Sequence, residues 1–266
     1  MNITELSHQI QSKKSMLCVG LDTSMDKLPK GFSKDLQGML AFNKEIIAAT
    51  QDYAVAYKIN IAFYEALGKG GWDLLESTRA LLPQDCFNIA DAKRGDIGNT
   101  STMYATAFFN HLDFDSITVA PYMGYDSVEP FLAFKDKVTI VLGLTSNKGS
   151  EDFQTNPLYT PPLYETVIQK ISSWGSPEQL MFVIGATKAE KLKEIRAMVP
   201  DHFLLIPGVG AQGGSADDVC AYGANKRGGL LINSSRGILY ASGGEDFAEK
   251  ARMEAKIIAE QTAHYI

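Results

Sequence analysis

Eight times along this chain a short apolar run, rich in β-branched residues, closes on a polar or glycine-rich turn and leads into a longer amphipathic stretch. The runs fall at residues 16–21, 56–59, 86–90, 116–120, 138–142, 180–184, 203–206 and 229–232. Their apolarity is nearly continuous rather than alternating, as a strand buried on both faces of a parallel sheet requires. Helical patterns follow at 36–52, 72–82, 99–111, 188–198, 216–222 and 247–264. No Pro/Gly/Ser linker or shift in composition interrupts the series, so the alternation predicts one α/β unit over residues 1–266: a closed (β/α)8 TIM barrel rather than a doubly wound sheet. Residues 1–15 read as an extra helix closing the barrel's N-terminal side. Residues 145–162 form an unusually long, turn-rich loop after the fifth strand, which suits either a lid or an ordered surface excursion.

Charge narrows the partners. A formal net charge of -6 repels a phosphate backbone and an anionic membrane surface, which argues against nucleic acid and membrane as partners. It leaves room for a local basic pocket around one small anionic ligand. Cys18, Cys86 and Cys220 are widely separated and lack CxxC spacing, so neither a disulfide framework nor a zinc knuckle is implied, and a reduced cytoplasmic setting is expected. The N-terminal stretch lacks the apolar core of a secretion signal, and no run approaches the ~20 apolar residues of a membrane span.

In a barrel of this kind, polar residues at the C-terminal ends of strands face the shared mouth where chemistry takes place. Those ends carry Asp22, Lys58 with Asn60, Asp91 with Lys93, and Thr145 with Ser146, followed by residues 207–214 and 233–237. The densest group is residues 91–100, DAKRGDIGNT. Side chains alternate along a strand, so Asp91 and Lys93 are expected to point the same way, with Cα atoms about 6.6 Å apart. Lys58 ends the neighbouring strand, so Lys58, Asp91 and Lys93 form a row of alternating charge in which each group stabilises the ionised form of the next. Taken alone, such a row also fits ordinary ion pairs at strand ends. After the seventh and eighth strands, GVGAQGG and NSSRG offer glycines that let backbone N–H groups approach an anion, and Arg236 to fork onto phosphate oxygens.

The phrase Asp91-x-Lys93-x-x-Asp96-Ile97-Gly98-Asn99-Thr100 resembles the signature of the orotidine 5'-phosphate decarboxylase family. The likeness continues through YKIN, TVAPYMG, LTSNKG, PGVGAQGG and SSRG on successive strand ends, and its later blocks resemble the longer bacterial subgroup. The resemblance implies cofactor-independent decarboxylation of orotidine 5'-phosphate to uridine 5'-phosphate and CO2 in pyrimidine synthesis. It implies that Lys93 protonates C6 of the pyrimidine, that Asp91 lies beside the substrate carboxylate, and that Lys58 holds Asp91 and the ribose hydroxyls. Asp22 and Asn60 are then expected at the ribose, Ser146 at the pyrimidine edge, and Gln212, Gly213 and Arg236 at the phosphate. Asp96 and Thr100 are expected to reach the site of a partner subunit, which makes the protein a homodimer with shared sites. No metal or cofactor is called for.

The chemistry supports those assignments independently. Decarboxylation at C6 leaves an electron pair in an in-plane orbital that the ring's π system cannot accept, so fixed charge must stabilise it. Two rival readings remain open at this stage. Magnesium-dependent sugar-phosphate decarboxylases and synthases share Asp-x-Lys-x-x-Asp but need an acid where the second strand ends, and here that residue is Lys58. A silent phosphate-ligand-binding barrel would need only the phosphate half. The histidines (His8, His111, His202 and His264) read as surface or packing residues, Arg94 as pairing away from the site, and Phe108 and Phe109 as core or subunit contact.

Overall fold

The computed structural model describes residues 1–186, 189–209 and 215–266. The apolar runs form eight strands: β1 (Leu17–Gly20), β2 (Ala54–Asn60), β3 (Phe87–Arg94), β4 (Ser116–Val119), β5 (Val138–Leu144), β6 (Leu180–Ile184), β7 (Phe203–Pro207) and β8 (Leu230–Ser234). They pair in chain order and close on themselves, with β8 returning beside β1 through the register Leu17↔Ile232, Cys18↔Asn233 and Val19↔Ser234. Closure removes every sheet edge. Residues such as Ile89, Ile117, Ile140 and Leu204 are wholly buried, because one face of each strand fills the barrel and the other packs under the helices.

The N-terminal helix α1 (Ile3–Lys13) forms as expected, and its start is specified locally. The Asn2 side chain accepts from the Glu5 N–H while the Glu5 carboxylate accepts from the Asn2 N–H, a reciprocal cap. Ile3, Leu6 and Ile10 face inward and are fully buried, each contributing about 1.5–3 kcal/mol. Ser7 donates to the Arg227 carbonyl just before β8, and Lys13 donates to the Gln51 and Ala54 carbonyls where β2 begins. The helix therefore covers the N-terminal side of the barrel.

The outer layer consists of α2 (Leu36–Thr50), α3 (Ala62–Glu65), α4 (Lys69–Ala80), α5 (Gly98–Thr106), α6 (Tyr125–Leu132), α7 (Ser150–Phe153), α8 (Leu163–Ser172), α9 (Ala189–Met198), α10 (Ala216–Gly223), α11 (Arg236–Leu239) and α12 (Phe247–Ala263). Five of these, α3, α6, α7, α8 and α11, lie outside the helical stretches read from periodicity, the two longest being α6 and α8. Of that pair, α6 carries Pro130, and α8 follows the turn-rich segment at once. In that segment, residues 145–162, α7 interrupts the expected loop. Gln154 returns to hold Thr145, accepting from its backbone N–H at 2.8 Å and donating to its hydroxyl at 2.8 Å. The first part of the loop is thus tied back to its own origin.

Candidate active site

The C-terminal strand ends open into a cavity of about 430 Å³. Charge concentrates on one wall, where Asp22, Lys58, Asp91 and Lys93 line it from the ends of the first three strands. The Lys58 ammonium lies 3.0 Å from Asp91 Oδ2 and 3.3 Å from Asp22 Oδ1, and Lys93 Nζ lies 2.5 Å from Asp91 Oδ1. The result is a chain of alternating charge, Asp22–Lys58–Asp91–Lys93. Burial alone disfavours the Lys58 ammonium, yet Asp91 and Asp22 outweigh it and hold Lys58 above the usual lysine range. Burial likewise pushes the Asp91 carboxyl up, but Lys58 and then Lys93 outweigh that and keep it well below the usual carboxylate range. The two central groups are therefore fixed in their ionised forms. Lys93, the end of the chain, keeps 48% of its side chain exposed toward the cavity, where a ligand can reach it.

Simple alternation along the third strand does not account for this arrangement. The register with β4 runs Ala90↔Ile117 and then Arg94↔Val119, four steps on one strand against two on the other. The surplus forms a bulge, and Lys93 sits in it with φ of 48°, a left-handed backbone rarely adopted by non-glycine residues. The bulge aims Lys93 at Asp91 and sends Arg94 the other way. Arg94 pairs with Glu65 and lies over the Tyr104 and Phe108 rings, as expected of a residue away from the site. Phe108 and Phe109 are buried in the core.

Opposite the charged wall, Leu142, Val183 and Leu205 present apolar surface from β5, β6 and β7. Ser146 and Asn147 enter from the loop after β5, and Ser235 and Arg236 from the turn after β8. Two glycines permit these approaches. A Cβ at Gly185 would meet Ser146 Cβ and N at 2.7 Å, and a Cβ at Gly20 would overlap the Ser235 hydroxyl. Among the described residues, no group of three or more His, Cys, Asp or Glu side chains could hold a metal ion.

With this geometry in hand, comparison with known proteins is decisive. Residues 15–251 match the model of the orotidine 5'-phosphate decarboxylase / HUMPS family. The chain belongs to that family. An orotidine 5'-phosphate decarboxylase of Christiangramia forsetii is 57% identical over 266 residues, covering 99% of this chain and 98% of its own. Among solved structures, the orotidine-monophosphate decarboxylase of Leishmania donovani superposes with a TM-score of 0.83 at 36% identity, over 98% of this chain and 99% of its own. The UMP synthase of the same organism superposes with a TM-score of 0.84 at 37% identity over 96% of this chain, which spans only 56% of that longer protein.

Of the residues expected at the site of this decarboxylase-family barrel, Asp22, Lys58, Asn60, Asp91, Lys93, Ser146 and Arg236 all line the one cavity. Asp96 and Thr100 do not line the cavity of their own chain. The Asp96 carboxylate accepts from the neighbouring Ile97 N–H at 2.8 Å, at the start of α5. Gln212 and Gly213 lie outside the described residues. The histidines behave as read: His8, His111 and His264 are exposed, and His202 is packed in the interior. Sequence reasoning missed Thr118, which sits inside an apolar strand run yet accepts from the Lys93 N–H and donates to Asp91. A hydroxyl residue on the strand beside Asp91 was the available signal.

Proposed function

We propose that this chain, with residues 1–266 acting as one catalytic barrel, decarboxylates orotidine 5'-phosphate to uridine 5'-phosphate and CO2 in de novo pyrimidine synthesis, without a cofactor. The observation that carries the reading is the Lys93 ammonium, open to the cavity and held 2.5 Å from Asp91. When the C6–carboxylate bond breaks, CO2 leaves and the electron pair stays on C6. The ammonium is the charge nearest that carbon, and it transfers a proton from Nζ to C6 to complete the product. Solvent then restores the proton to Lys93. At about 4 Å and an effective dielectric of about 20, one such charge pair contributes on the order of 4 kcal/mol. Asp91, ionised and beside the departing carboxylate, opposes the bound state more than the state in which CO2 is leaving.

Asp22, Lys58 and Asn60 suit the ribose hydroxyls, since they line the cavity next to the reacting group. Ser146 suits the pyrimidine edge and Arg236 the phosphate, with Gln212 and Gly213 completing the phosphate grip. Binding energy from the remote phosphate then orders the reacting ring. The magnesium-dependent rival is disfavoured by Lys58, whose buried ammonium would repel a cation where that chemistry needs an acid.

A homodimer with shared sites is part of the reading. Asp96 and Thr100 lie at the start of α5 beside the exposed apolar side chains of Ile97 and Met103, and an interface there would carry them toward a second cavity. A reduced cytoplasmic setting suits three free, buried cysteines. The test is loss of orotidine 5'-phosphate absorbance with a chelator present. Undiminished turnover supports the reading, and metal-dependent or absent turnover overturns it. Mixed Lys93→Ala and Asp96→Ala proteins should regain activity as heterodimers, and demonstrated heterodimers without activity would sink the shared site.

A further inference from the structure

We infer that Thr118 is a positioning residue that fixes the Asp91–Lys93 pair in its reactive geometry, an inference that rests on the decarboxylase reading. The bulge in β3 sets four residue steps against two on β4, so the Lys93 N–H faces a side chain rather than a ladder carbonyl. Thr118 Oγ1 accepts from that N–H at 2.9 Å. The same oxygen donates to Asp91 Oδ1 at 3.0 Å. The backbone N–H can only donate and the ionised carboxylate can only accept, so the single hydroxyl proton has one possible direction.

The contacts close into a ring. Asp91 Oδ1, held by the Thr118 hydroxyl, is the oxygen that meets Lys93 Nζ at 2.5 Å, while Oδ2 is taken by Lys58 at 3.0 Å. Thr118 therefore grips Lys93 at both ends: directly at its backbone, where φ is 48°, and through Asp91 at its ammonium. Thr118 is fully buried and does not line the cavity, so its effect on substrate passes through these two residues. A valine would fill nearly the same shape in this β-strand interior but would leave the Lys93 N–H without its acceptor and Asp91 short of one donor.

Thr118→Val and Thr118→Ser separate the hydroxyl from the packing. Thr118→Val should lower kcat on the order of 10- to 100-fold, the scale of a hydrogen bond to a charged group, with KM within about threefold of native. Thr118→Ser should restore kcat to within about threefold. A uridine 5'-phosphate analogue bearing an oxyanion at C6 should lose affinity for Thr118→Val in proportion to kcat/KM, while uridine 5'-phosphate binds as before, a split that a general loss of structure would not give. Native kcat in Thr118→Val, or equal weakening of both nucleotides without rescue by serine, overturns the inference. Should the valine variant fail to fold, Thr118→Ala is measured instead, and native kcat there also overturns it. An inactive native protein sinks the decarboxylase reading and this inference together, whereas an active native protein with an unimpaired Thr118→Val sinks this inference alone.

Discussion

The Lys58 ammonium and the Asp91 carboxylate form a buried ion pair, 3.0 Å apart, with 5% and 10% of their side chains exposed. A buried pair of this kind costs much more to break than it gives by forming, since removing one partner strands the other's charge. Lys58→Met should therefore lower stability by about 3 kcal/mol, with Lys93 still compensating Asp91 in part, as read by urea unfolding at neutral pH. Lys58 and Lys93 hold the Asp91 carboxyl below its usual range, so its contribution is full above the unfolded value near 3.9 and is lost as pH falls below that. Without Lys58 the folded carboxyl moves back toward its ordinary range, so the acid loss should be smaller and end at a higher pH. An unchanged acid unfolding profile in Lys58→Met would count against the pairing.

His202 predicts a second pH effect. Its ring is buried against Phe182, both ring nitrogens lack a hydrogen-bond partner, and burial, with Arg196 adding repulsion, lowers its pKa to about 4. Asp201 opposes that shift only in part. The neutral ring is favoured in the folded protein, so its contribution is full above the unfolded value near 6.5, declines as pH drops below it and is gone below about 4. His202→Leu should flatten stability across that window and raise it at pH 5 by on the order of 1 kcal/mol, measured by urea midpoints.

Gly185 gives a steric prediction. A methyl group there collides with Ser146 at 2.7 Å, and the loop after β5 must move away from the cavity. Gly185→Ala should reduce kcat/KM about 10- to 100-fold, the cost of an ångström-scale misplacement, while the melting temperature drops by only a few degrees. Native kinetics in Gly185→Ala would show that the position of Ser146 does not matter to the reaction.

Arg236 lines the cavity at the start of α11, on the side proposed for the phosphate. Arg236→Ala should cost about 100-fold in kcat/KM toward the nucleotide, with added guanidinium restoring part of it. Toward orotidine, which lacks the phosphate, the same substitution should change little. A matching loss with orotidine would mean that Arg236 acts on something other than the phosphate.

Much of this was legible in the sequence, for reasons that can be traced to particular residues. Continuous apolar runs such as FNIA before Asp91 identify strands buried on both faces, and their polar ends identify the mouth. Lys58 and Asp91 follow directly, because neighbouring strand ends must be adjacent. Periodicity could not reveal the bulge at Lys93, since a register surplus is a relation between two strands. Thr118 was hidden for the same reason: its hydroxyl reads as a β-branched strand residue until β4 is laid beside β3. Helices α6 and α8 escaped notice because Pro130 breaks one pattern and a dense run of turn residues masks the start of the other.

The joint between the first and last strands divides the pocket's duties. Asp22 follows one side of this joint and Arg236 the other, so on the proposed reading sugar and phosphate are grasped by segments more than 200 residues apart in the chain, whereas Lys93 and Asp91 share one strand. Loosening that joint would release the nucleotide's handle while leaving the ammonium and its carboxylate assembled. Were that joint to open first, hold on the ligand would fail while Lys93 and Asp91 stayed paired.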